Sequence, residues 1–219
     1  MKVEIFLTIT TQSQIQQLSW LIQILKIMNQ FKSMLIILME VLILLYNLKI
    51  LEIFKIKRKG EKDKFKNVGN RMLLWHGSRL TKFVGIMSQG LRIAPHEAPC
   101  TGYMFGKGVY FADSVSKSAN YCCASSSNPV GLILLCNERT EADYEASNLE
   151  PDCQSTKGIG KMAPDETVEF QDMKVLIGKP EDQQLKSDLM CNQYIVYNVD
   201  QVRIKYFVKL EFLYKQQMK

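Results

Sequence analysis

Apolar and polar positions change rhythm several times along this chain, and each change predicts an element. Residues 1 to 45 are poor in Gly and Pro and place Leu18, Leu21, Ile22 and Leu25 at helical spacing, which predicts an appended helix or a poorly ordered tail. From Tyr46 the texture is strand-like: Leu48, Ile50, Ile53, Phe54 and Ile56 form an imperfect run. Gly60 then turns the chain into Lys62 to Val68 and Arg71 to Trp75, read as consecutive strands. The apolar run Met72-Leu73-Leu74 leads into Trp75-His-Gly-Ser78, as in a buried strand that delivers its last residues to a surface, with His76 at the strand mouth.

Farther along, Phe83, Val84, Ile86 and Met87 form an apolar stripe in a helix from Thr81 to Gln89, and Gly90 stops it. Leu91 to Thr101, with Pro95 and Pro99, is expected to be an ordered loop, and Gly102 to Gly108 a glycine-rich one that enters a strand at Val109-Tyr110-Phe111. Asp113 or Ser114 can cap a helix holding Ser118, Tyr121 and Cys122, with Lys117 and Tyr121 one turn apart. Val130 to Cys136 is a near-continuous apolar run, the pattern of a strand covered on both faces. Asn137 to Pro180 is polar and reads as loops and short strands. Tyr194 to Tyr197 and the alternating Val202, Ile204, Tyr206, Val208, Leu210 and Phe212 predict two closing strands. Strands outnumber helices, so the fold class is α+β with a mainly antiparallel, split sheet.

Composition alters this picture little. At 219 residues and 47% hydrophobic, the chain can bury one substantial core. The net charge of +6 gathers in Lys55, Lys57, Arg58, Lys59, Lys62, Lys64 and Lys66, but Gly60, Glu61 and Asp63 interrupt that run as in a solvated hairpin, so it is weak evidence for nucleic acid. Six cysteines without Cys-x-x-Cys pairs, and only two histidines, fit reduced thiols in an intracellular protein and argue against a metal site. The N-terminus lacks the pattern of a secretory signal. Met34 to Leu45 is about a dozen residues and contains Glu40, short of the roughly 20 that span a bilayer. The expectation is a soluble protein with no membrane partner.

Five stretches carry the chemistry: Leu74-Trp-His-Gly-Ser78, Gly90-Leu-Arg-Ile-Ala-Pro95, Gly102-Tyr-Met-Phe-Gly-Lys-Gly-Val-Tyr-Phe-Ala-Asp113, Ser116-Lys-Ser-Ala-Asn-Tyr121 and Asn192-Gln-Tyr-Ile-Val-Tyr197. In order and spacing they closely resemble the catalytic domain of poly(ADP-ribose) polymerases, nearest to the nuclear, DNA-damage-responsive members, over about Tyr46 to Phe212. The resemblance implies a diphtheria-toxin-like ADP-ribosyltransferase fold, two packed sheets with a cleft for NAD+ as substrate and no metal. It also implies protein acceptors, automodification among them, a nuclear location, and contact with DNA only through modules outside this chain. The domains expected are an atypical segment 1–45 and a catalytic domain 46–219.

The same resemblance assigns roles. His76, Tyr110 and Gln193 take the catalytic positions. His76 would hold the adenosine-side ribose hydroxyls, and the Gly77 backbone with the Ser118 hydroxyl would hold the nicotinamide carboxamide, which needs donors and acceptors at fixed points. Tyr121 would stack on the nicotinamide ring with Tyr110 on its other side, an electron-rich setting for a cationic pyridinium. Ser78 and Arg92 resemble the adenosine and phosphate end, and Tyr103 and Met104 fall on the family's donor loop and acceptor surface. Lys117 is either the lysine that the family carries near the nicotinamide ribose or a solvated helix residue.

Three departures stand out. Lys82 occupies a position where close relatives have a small amide side chain. Gln193 occupies the position of the family's glutamate, one residue before Tyr-Ile-Val-Tyr. A glutamine carbonyl can still accept a hydrogen bond from the ribose 2′-hydroxyl, but it carries no negative charge and is no base, so chain elongation is expected to suffer most. The alternative is a catalytically silent NAD or ADP-ribose binding module. Finally, Ile37-Leu-Met-Glu-Val-Leu-Ile43 stands where relatives carry Asn-Thr-His-Gly-Ser-Thr-His. Written AAT ACT CAT GGA AGT ACT CAT and read one nucleotide later, the family peptide gives Ile-Leu-Met-Glu-Val-Leu. Much of 1 to 45 is therefore expected to be an out-of-frame translation, which sequencing the transcript tests.

Overall fold

The structure, a computed structural model, describes residues 4–5, 46–65, 70–95, 97, 104–140 and 154–215. The helical spacing read in 6–45 lies outside them, as do Tyr103, Pro99 and residues 66–69. The strands are β1 (Glu4–Ile5), β2 (Tyr46–Lys57), β3 (Asn70–Gly77), β4 (Val109–Ala112), β5 (Val130–Thr140), β6 (Ser155–Gly158), β7 (Met162–Phe170), β8 (Met173–Asp182), β9 (Gln193–Val196) and β10 (Val202–Tyr214). The described residues also form three short helices, α1 (Glu61–Lys64), α2 (Phe83–Gln89) and α3 (Val115–Ala119); single 3₁₀ turns precede α2, follow α3 and precede β10.

Hydrogen bonding orders the strands β1-β2-β10-β5-β3-β4-β9-β6. β3 is the fork. Along its whole length it pairs antiparallel with β5, from Asn70 opposite Thr140 to Gly77 opposite Ile133. On its other edge Trp75 pairs with Ala112 of β4, whereas Met72 pairs in parallel with Lys174 of β8, which continues into the β7–β8 hairpin. One edge thus serves two partners, so the sheet splits there, and the wing β4-β9-β6 diverges from the β7–β8 hairpin. This is the expected α+β, mainly antiparallel, split arrangement.

The apolar run in β3 has its cause in burial on both faces. Leu73 and Trp75 join Ile133, Leu135, Val208 and Leu210 in one cluster, while Met72 and Leu74 join Phe83, Phe111, Leu134 and Ile204 in the other. Because strand side chains alternate, His76 falls on the Met72–Leu74 face, where its ring lies 5.6 Å from that of Phe111.

Three expectations need correction. Gly60, in a left-handed conformation with φ 78°, opens the helical turn α1 and not a strand at Lys62. Glu61 there is held by Arg58 at 2.8 Å, and Arg58 also donates to the carbonyls of Met87 and Ser88 at the end of α2, which favours a compact turn. Val84, read as part of the buried stripe of α2, is 81% exposed; the short helix turns only Phe83 and Ile86 fully inward. The polar stretch 137–180 contains the long β7–β8 hairpin, joined through Gln171 and Asp172 at φ 50° and 60°. In its strand β7 only Phe170 is fully buried, so its sequence shows no sustained apolar alternation.

Candidate functional site

A cleft of ≈ 1160 Å³ lies beside the end of β3 and between α2, β4, α3 and the start of β9. It is above the size of common small-molecule pockets. His76, Gly77, Ser78, Arg92, Tyr110, Lys117, Ser118, Tyr121 and Gln193 all line it, so the five stretches meet in one concavity. Lys82 lines it too. Its described lining contains three cations, Lys82, Arg92 and Lys117, and no carboxylate.

The end of β3 fixes the deepest part. His76 Nδ1 lies 2.8 Å from the Tyr110 carbonyl, which can only accept, so Nδ1 carries the hydrogen and Nε2 presents a lone pair. Burial pushes the imidazole below its usual 6.5, against the opposing effect of that hydrogen bond, which keeps the ring neutral at neutral pH. Ser118 Oγ donates to the Trp75 carbonyl at 3.0 Å, leaving its lone pairs to accept from a ligand N–H. Gly77 is a glycine for a steric reason. A Cβ there would lie 1.7 Å from the Ser118 carbonyl oxygen, so β3 and α3 approach closely only without a side chain.

Tyr110 is fixed through its hydroxyl, which accepts from Phe105 N–H at 3.0 Å and donates to the Gly106 carbonyl at 2.7 Å, while its ring packs against Phe105, Leu189 and Ile195. Tyr121 sits in a 3₁₀ turn and not on a continuous helix, and it is 55% exposed at the lip of the cleft. Arg92 is exposed, and Ser78 and Lys117 are half-buried. Met104, 53% exposed, is not among the lining residues.

Gln193 opens β9, opposite Ala112 on one side and Gly158 on the other. It is buried and makes no side-chain hydrogen bond to a described residue, so its amide is available to a ligand. Directly behind it, Asn192 Nδ2 donates to Asp113 Oδ2 at 2.7 Å, and Asn192 Oδ1 accepts from Gly160 N–H at 2.8 Å. Sequence reading treated Asp113 only as a helix cap. Ser114 is the residue at the cap position, and its hydroxyl pairs with Ser116 Oγ at 2.8 Å and not with the helix backbone. A polar residue flanking each of two apolar strands was the available signal for the Asp113–Asn192 pair. Among the described residues, no group of three or more His, Cys, Asp or Glu gathers in the geometry of a metal site. No helix of the described residues is long and apolar enough to cross a membrane.

Two buried acids give stability a defined pH dependence. Burial pushes Asp113 from its ordinary 3.8 up to about 7, against the opposing effects of Asn192 and Lys157. An unfolded chain loses that proton near 3.8, so the folded state binds more protons between 3.8 and about 7, and stability falls as pH rises through this window. Burial lifts Glu138, whose two oxygens have no hydrogen-bond partner among the described residues, well above 4.5, so its contribution has the same sign. His76 contributes with the opposite sign. The pair Asp113→Asn and Glu138→Gln should therefore gain stability relative to wild type as pH rises from 5 to 7. Urea unfolding across that range measures the difference; a constant difference would contradict the assignment.

Comparison with known proteins converges on one family. A family model described as "Poly(ADP-ribose) polymerase catalytic domain" matches residues 28–212, beginning within the segment 1–45 set apart above. Among curated proteins, poly [ADP-ribose] polymerase 2-B of Oryza sativa subsp. japonica is 50% identical over 185 residues, covering 78% of this chain and 31% of that protein. Poly [ADP-ribose] polymerase 1 of Gallus gallus is 52% identical over 182 residues, covering 78% of this chain and 18% of that protein. The chain thus spans under a third of the length of these relatives. The match over most of the sequence and the split sheet with its cleft agree: this chain belongs to the poly(ADP-ribose) polymerase catalytic domain family and has its α+β ADP-ribosyltransferase fold.

Proposed function

We propose that this chain transfers ADP-ribose from NAD+ to protein acceptors, its own side chains among them, and releases nicotinamide. The observation that carries this reading is the convergence of the nine residues on one cleft whose described lining is cationic. A pyrophosphate calls for Arg92 and Lys82; a carboxamide calls for the Gly77 backbone and the Ser118 hydroxyl. The pyridinium lies between Tyr110 and Tyr121, and His76 Nε2 accepts from an adenosine-side ribose hydroxyl with Ser78 beside it. Lys117 stands near the nicotinamide ribose. In the reaction the C1′–N bond breaks, its electron pair leaves with nicotinamide, and the acceptor oxygen bonds to C1′ and gives up its proton.

The transition state resembles that of glycoside hydrolysis, with positive charge developing on the ribose. Gln193 accepts from the ribose 2′-hydroxyl but offers that charge only a dipole. The rate is low, with single transfers favoured over elongation. The nucleus as location and regulation by DNA through other modules belong to the same proposal. Gln193 also favours a second reading, a silent binder of NAD+ or ADP-ribose. Incubation with labelled NAD+ separates them: nicotinamide release together with protein label supports the transferase, and binding without either supports the silent module. A thermal shift with benzamide, a nicotinamide mimic, tests the cleft itself. A rise in the melting temperature is expected, lost in Ser118→Ala.

A further inference from the structure

We infer that Asp113 and Asn192 form a positioning couple that sets the residue at 193 against its ligand. The two flank the Ala112–Gln193 pair, Asp113 following Ala112 at the end of β4 and Asn192 preceding Gln193 at the start of β9. Their 2.7 Å hydrogen bond therefore ties the strand ends beside the cleft-lining glutamine. The tie extends to a third segment, since Asn192 Oδ1 holds Gly160 N–H at 2.8 Å. Gly160 is packed so closely that a Cβ would lie 2.3 Å from the Cys191 carbonyl carbon. Asp113 is 2% exposed and Asn192 5%, so water does not compete for these bonds.

Neither side chain lines the cleft, so the couple acts through its lining neighbours Ala112 and Gln193, of which Gln193 carries the polar side chain. Among the described residues Asp113 Oδ1 has no side-chain hydrogen-bond partner, which leaves the acid with a single side-chain tie and makes that tie sensitive to its charge. Among the described residues, the charged or titratable groups that act on it are Lys157 of β6 and the Cys191 thiol before β9, and Lys117 of α3 acts on Cys191 in turn. Burial raises the acid to about 7, so the hydrogen bond becomes charge-assisted across neutral pH. The inference rests on reading the cleft as the NAD+ site.

Calorimetric titration of NAD+ and of benzamide into the chain and its variants tests it. Asp113→Leu should weaken NAD+ by about threefold to tenfold, the effect of one buried hydrogen bond, and leave benzamide, held at Gly77 and Ser118, unchanged. Asp113→Asn, which keeps an acceptor for Asn192, should restore NAD+ affinity to within about twofold. In a Gln193→Ala background Asp113→Leu should add nothing, because a residue acting through another is not additive with it. Additive losses, equal loss of benzamide, or no loss of NAD+ affinity would each overturn the couple while leaving the NAD+ reading intact. Failure of benzamide to bind the unaltered chain would overturn both. Should Asp113→Leu not fold, Asp113→Asn decides: NAD+ affinity should change between pH 6.5 and 8 in the unaltered chain and not in Asp113→Asn, and a flat profile in the unaltered chain or an equal change in the variant would refute the inference.

Discussion

Gln193→Glu is expected to raise ADP-ribose transfer by about 10²–10³-fold, the scale on which removing one charge-stabilising group slows an enzyme. Gln193 is buried at the start of β9, lines the cleft and has no described hydrogen-bond partner, so a glutamate of nearly the same shape fits without rearranging the wing. It would add the only carboxylate to a described lining that otherwise holds Lys82, Arg92 and Lys117. A carboxylate stabilises the oxocarbenium-like ribose and orients the attacking hydroxyl; an amide does neither. Benzamide affinity should stay within about twofold, because one uncharged ligand gains little from a distant charge. Nicotinamide release and protein label from NAD+ measure the first expectation. An unchanged rate and product length in Gln193→Glu would show that residue 193 does not limit the activity.

Gly77→Ala should be the most damaging single methyl in the cleft. The added Cβ would meet the Ser118 carbonyl oxygen at 1.7 Å and its carbon at 2.6 Å, and both belong to backbone that no rotamer change can move aside. Either β3 or α3 shifts, at a cost of about 1–3 kcal/mol or more. The shift also moves the Gly77 backbone and the Ser118 hydroxyl apart, so benzamide binding should be lost. Gly85→Ala is the control on the same cleft: a Cβ there meets nothing within 4 Å, and alanine favours a helix over glycine by about 1 kcal/mol. Thermal unfolding should show a lower midpoint for Gly77→Ala and an equal or higher one for Gly85→Ala. A Gly77→Ala protein as stable as wild type that still binds benzamide would contradict the close approach of β3 and α3.

The legibility of the fold followed burial. β3, β5 and β10 are covered on both faces or alternate strictly, and those patterns were readable. The β7–β8 hairpin was not, because β7 buries only Phe170 and leaves no periodic imprint. Val84 shows the converse limit. An apolar residue at helical spacing reads as buried, yet α2 has only seven residues and, among the described residues, buries only Phe83 and Ile86. Lys62 lost its expected strand to the Arg58–Glu61 pair, a contact of side chains three residues apart that also reaches the end of α2.

By itself the sequence determined the α+β class, the apolar strands, the stretches that line the cleft and the glutamine at position 193, since each depends on local spacing or on residue identity. Only the tertiary structure decided how these meet. Pairing of β3 with β4 at Trp75 and with β8 at Met72 splits the sheet and opens the cleft, and such pairing joins residues far apart in the chain. The same long-range contacts fix the His76 tautomer through the Tyr110 carbonyl, require glycine at 77 because Ser118 lies against it, and bury Asp113 with Asn192 behind Gln193. Hydrogen-bond partners and steric limits of this kind arise between segments only when the chain is folded, so no pattern along one segment carries them.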